Sequence, residues 1–173
     1  MTFSELYSTY SISKAEDSTL TLSEAEEISY NLSSESEPAF PESVRKESEK
    51  LSKTSKTYQK DLKKLYNKLE FWNILRGYRL AKTERFLRRL TSGEDVSIPL
   101  KELHSMLTYG LDEIFAGKLE SYHKYFPGVF RNSDDVVIGN KTPLRASMIP
   151  DFLLELSSLL KDTNDLESVF RIH

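Results

Sequence analysis

From Pro41 to Leu90 the chain runs for roughly fifty residues with a single glycine, Gly77, and no further proline. A run of that length without a backbone breaker is constrained to helix. From Leu62 onward a stripe returns at three-four spacing: Leu62, Leu65, Leu69, Trp72, Arg76, Arg79 or Leu80, Thr83, Phe86 or Leu87, and Leu90, mostly apolar with two arginines and a threonine in it. Val44 to Lys60 is weakly apolar, which predicts a mostly exposed stretch. The run reads as one long helix, or as two broken between Ser52 and Tyr58.

The flanks extend the helical pattern. Thr2-Phe3-Ser4-Glu5 has capping-box spacing, and Ser23 with Glu26 repeats it, predicting a short helix from Phe3 and a second through about Leu32. The polar "SISKAEDSTLTL" between them reads as a loop. Residues 29–40 are rich in Ser and Glu, carry a proline and read as a flexible, solvated loop. Pro41 suits a first helical turn, with Glu42 favourable at the positive end. Ser97 with Pro99 opens another helix to about Tyr109, with Leu103, Met106, Leu107, Leu111, Ile114 and Phe115 as an inner face. "KLESYHKYF" continues helically to Phe126, and Pro127-Gly128 stops it.

Beyond 128 the character changes. "VVI" (136–138) is a short β-type run, Gly139-Asn140 is turn chemistry, and "TPLRASM" reads as a second extended segment. Pro150 opens a helix with Ile149, Phe152, Leu153, Leu156 and Leu160 inward, and "LESVFRI" reads as a closing strand. The expected fold is therefore mainly α: a helical bundle with a small C-terminal α/β appendage. The expected domains are 1–128, a linker at 129–135, and a small β-rich domain at 136–173. So small a unit must dock, because below about 40 residues a chain rarely folds alone without disulfides or metal.

Charge is unevenly placed. The net charge of −3 divides into −8 over residues 1–44, +10 over 45–89 and −5 over 90–173. A basic middle between acidic ends either attracts a polyanion or pairs internally. The densest stretch is "LRGYRLAKTERFLRRL", residues 75–90. Arg79 lies beside the apolar stripe, so it is expected partly buried against a carboxylate. Lys82, Arg85, Arg88 and Arg89 are the candidate nucleic-acid contacts.

Catalytic chemistry is hard to find. There is no cysteine, which removes thiol nucleophiles and thiolate ligands. His104, His123 and His173 lack ligand-type neighbours, and no metal-binding, P-loop or nucleophile-elbow motif occurs. The expectation is a protein that is not an enzyme, with no cofactor and no metal. The first residues do not read as a signal peptide, and no apolar stretch approaches the roughly 20 residues of a membrane span. A cytoplasmic location is expected, or a nuclear one in a eukaryote.

The helical run through "FPESVRKESEKL", "LKKLYNKLEFWNIL" and "RLAKTERFL", with the tail "LRASMIPDFLLELSSLLKDTNDLESVFRI", resembles the GINS family of replication-helicase accessory factors. It looks most like the archaeal type with the helical domain first and a small β-rich domain last. The element Arg79 to Arg85 is similar to an Arg-Leu-x-Lys-Ile-Glu element of those subunits, with Thr83 where they carry an aliphatic residue. The resemblance implies a non-catalytic scaffold subunit of a DNA replication helicase complex. It would assemble as an oligomer with other GINS-type subunits and bridge the MCM helicase motor to a RecJ-like protein. Leu69, Trp72, Leu75, Arg79 and Phe86 would be core or interface anchors. The alternatives are a helical nucleic-acid-binding protein using residues 53–89, or a viral or regulatory adaptor with an acidic, protease-sensitive head.

Overall fold

The computed structural model describes residues 3–15, 18–34, 39–93, 95–120, 122, 124–132 and 144–161. The protein is mainly α-helical, and no strand occurs among the described residues. Its helices are α1 (Phe3–Ala15), α2 (Leu22–Ser34), α3 (Ala39–Lys50), α4 (Tyr58–Ala81), α5 (Glu84–Thr91), α6 (Ser97–Leu107), α7 (Leu111–Phe115) and α8 (Ile149–Lys161), with a 3₁₀ turn at Ala146–Met148.

The chain forms two compact units. The first comprises Met1–Arg79 with Met106–Pro127, and the second Leu80–Ser105 with Gly128–His173. One boundary between the units falls at Pro127/Gly128, beside the expected division at 128, while residues 80–105 group with the C-terminal part.

In the first unit, α4 is the central helix. Its buried residues include Leu62, Leu65, Tyr66, Leu69, Phe71, Trp72, Ile74 and Leu75, so burial spreads well beyond one stripe. Leu6, Leu20, Ala25, Ile28, Val44, Leu111, Ile114, Phe115 and Leu119 complete the core around its first half. Two asparagines are fully enclosed on the same helix. Asn67 Nδ2 donates to Thr19 Oγ1 at 2.8 Å and Asn73 Nδ2 to the Tyr109 carbonyl at 2.9 Å, each fastening a loop to α4. Gln59 does the same at the N-terminal end, donating to the Lys118 carbonyl and accepting from Glu120 N–H.

Local chemistry moves several expected boundaries. α1 runs on through Ala15, so part of the expected "SISKAED" loop is helix. The capping box of α2 is Thr21–Glu24 rather than Ser23–Glu26: Thr21 N–H donates to Glu24 Oε2 and Glu24 N–H to Thr21 Oγ1. α2 reaches Ser34 and α3 starts at Ala39, so much of the expected 29–40 loop is helical and residues 35–38 lie outside the described ones. The long run breaks at 51–57, within one residue of the expected window. It breaks again at Thr83, which is an exposed cap and not a stripe residue: its Oγ1 accepts from Phe86 N–H at 3.2 Å. The expected helix through Phe126 ends at Phe115, because Gly117 takes φ 72° and turns the chain.

In the second unit, α5 packs on α8, and Val96, Leu153 and Leu160 form a small core with Leu90, Leu100, Phe130, Ile149 and Leu156. The expected extended segment at 142–148 is corrected where it is described, since Ala146–Met148 is a 3₁₀ turn leading into α8. The strands expected at 136–138 and in the final tail lie outside the described residues.

Candidate interaction surfaces

Four of the five expected anchors are buried: Leu69, Trp72, Leu75 and Phe86. Trp72 stacks on Phe40 with centroids 5.6 Å apart and meets Tyr109 at 6.4 Å. Arg79 is half-buried, and no carboxylate among the described residues lies within ion-pair distance of it. The arginine laid on the stripe is Arg76, whose guanidinium sits 4.3 Å over the Trp72 ring and 5.6 Å from Tyr109.

The expected nucleic-acid contacts divide. Lys82 and Arg85 are exposed. Arg88 pairs with Glu84 on the same helix, and Arg89 pairs with Glu102 across α5 and α6. Internal pairing recurs elsewhere, in Arg45 with Glu42 and Glu49, Lys46 with Glu42, and Lys64 with Glu24 at 2.7 Å. The Lys64 hydrogen bond, helped by the capping contacts of Thr21, holds the Glu24 carboxyl down at about 2. His104 is structural, its Nδ1 accepting from Gly128 N–H at 3.1 Å, while His123 and His173 lie outside the described residues.

A hydrogen-bonded cluster that the sequence did not signal closes the first unit. Asp112 accepts from the Tyr122 hydroxyl and from the N–H groups of Tyr125 and Phe126. Partial burial opposes its ionisation, but these bonds outweigh it and hold the carboxyl below its ordinary value. They also secure Phe126 at φ 50°, a left-handed conformation costly for an aromatic residue.

The second unit presents a different surface. α8 is apolar over a wider arc than its own unit covers. Leu153 and Leu160 are buried, but Phe152, expected inward, is 49% exposed, Leu154 69% and Leu159 47%. Phe152 and Leu159, seven residues apart, share one flank of the buried stripe, and Leu154 stands on the other. Met148, just before the helix, and Val129 are exposed as well. Beside α8 lies an open recess of about 350 Å³, lined by Phe130, Ile149, Pro150, Leu153 and Leu154, with Lys101, Arg131 and Asp95 also on its wall. Among the described residues no group of three or more metal-ligating side chains comes together, and no helix is long and apolar enough to cross a membrane.

Compared with protein-family models, curated proteins and solved structures, the chain matches none.

Proposed function

We propose that the chain is a non-catalytic scaffold subunit that works by binding other proteins through the outer face of its second unit. The observation that carries this reading is the exposure of Phe152 and Leu159 on one flank of a short helix and of Leu154 on its other flank, beside the recess. Large apolar side chains left uncovered on both flanks of one buried stripe mark a protein contact, whereas scattered single ones need no explanation. The adjoining recess is suited to one inserted side chain, the usual anchor of such a contact.

At a finer level, the GINS-like layout supports a subunit of a DNA replication helicase complex. Its partners would be other GINS-type subunits, an MCM helicase motor and a RecJ-like protein. A β-rich small domain at 136–173 belongs to the same reading, as does a cytoplasmic or, in a eukaryote, nuclear location.

Purification of the tagged full chain from its native cells, with identification of co-purifying proteins, tests the proposal. GINS-type subunits or a helicase motor are expected with the natural sequence. They should be lost from the double variant Phe152→Asp, Leu154→Asp. Recovery of the same partners by that variant would remove α8 from the interface. Recovery of none of these classes by the natural sequence would overturn the replication reading.

A further inference from the structure

The elbow between α3 and α4 reads "KLSKTSKTYQK", residues 50–60, with four lysines, five hydroxyl side chains and no acid. Lys50, Lys53, Lys56 and Lys60 are all exposed. None has a carboxylate within ion-pair distance among the described residues, although Arg45, Lys64, Arg88 and Arg89 all do. In a chain of net charge −3, four exposed lysines within eleven residues that carry no acid make a local positive field.

The elbow is also ordered by its own atoms. Ser55 N–H donates to the Ser52 carbonyl at 3.0 Å and Tyr58 N–H to the Ser55 carbonyl at 3.1 Å, making two successive turns. Ser52 and Thr54 hydroxyls pair at 2.9 Å, as do those of Ser55 and Thr57. Leu51 and Tyr58 anchor both ends in the core. The lysines thus project from a fixed backbone, at the positive end of the 24-residue helix α4.

We infer that this elbow is a contact site for nucleic-acid phosphates. Lysine is a point-charge phosphate binder, and nothing beside these lysines is placed to read bases: Gln59 is spent on the 118–120 backbone and Tyr58 on the core. Binding is therefore indifferent to sequence. A membrane surface is the poorer fit, because no large apolar side chain between residues 39 and 97 is exposed to insert into lipid. The site lies at the start of the 53–89 segment, apart from the expected contacts at 82–89, and is independent of the protein-contact reading.

Fluorescence anisotropy of the full chain with a labelled duplex of about 25 base pairs, from about 50 to 200 mM salt, tests it. Four phosphate contacts predict a log–log salt slope near −3.6, from about 0.9 per contact. Replacing Lys50, Lys53, Lys56 and Lys60 with Gln should weaken low-salt binding at least about tenfold and flatten the slope. The same four positions changed to Arg should retain binding, as should Lys82→Gln with Arg85→Gln and Arg88→Gln. Circular dichroism melts confirm that each variant is folded. The inference is overturned if the natural chain does not bind at low salt, or if the Gln variant binds as well as it does. It is equally overturned if the 82–88 variant loses as much binding, or if the chain binds phosphatidylserine vesicles in preference to the duplex.

Discussion

Trp72 and Glu24 show how far single residues determine the first unit. Trp72 is 1% exposed, stacked on Phe40 and covered by the Arg76 guanidinium. Trp72→Ala should cost about 3–5 kcal/mol in denaturant unfolding, the usual range for emptying an aromatic core site. Glu24 joins α2 to α4 through Lys64, and its carboxyl lies at about 2 instead of the ordinary 4.5. Its contribution is therefore present above about 4.5 and lost as pH falls toward about 2. Lys64 is 58% exposed, so solvent screening keeps the pair's contribution small. Glu24→Gln should lower the unfolding free energy slightly at pH 7 and leave it nearly unchanged near pH 2. Trp72 was legible because a large apolar residue at three-four spacing has few places to go. Arg79 is half-buried as expected, while the arginine held by rings is Arg76, which lies over Trp72 one helical turn earlier and reaches Tyr109 from a distant segment.

At the scale of elements, helix content was legible and helix ends were less so. The break at 51–57 follows from the low apolar content and hydroxyl-rich composition there. The break at Thr83 was hidden because a threonine at a stripe position is compatible with helix. Only the structure shows its hydroxyl turned to Phe86 N–H while its own N–H bonds back to the Leu80 carbonyl. Thr83→Ala should accordingly cost about 1 kcal/mol, the typical loss of an N-cap, and Thr83→Ser should retain most of it. Thermal melts of the two variants distinguish a cap from a stripe residue, for which Ala would be the milder change. α7 ends early partly for a reason the local sequence does not carry: the Asp112 cluster that holds the following segment joins residues ten to fourteen apart.

For the whole molecule, the pattern of exposure separates the two units. The first buries its aliphatics well and exposes mainly tyrosines, whereas the second leaves Ile98, Val129, Met148, Phe152, Leu154 and Leu159 in solvent. The sequence announced the apolar character of α8 but not how much of it would stay uncovered, because the width of the covering layer depends on residues distant in the chain. Association through this face is the central claim. Without its natural partners, the purified chain should satisfy that face by self-association at micromolar concentration. Sedimentation velocity on the full chain is the direct measurement. The account predicts a weight-average mass that rises with concentration above 20.0 kDa, and a mass held at 20.0 kDa in the triple variant Phe152→Asp, Leu154→Asp, Leu159→Asp. A natural chain that sediments as a 20.0 kDa monomer at every concentration would contradict it.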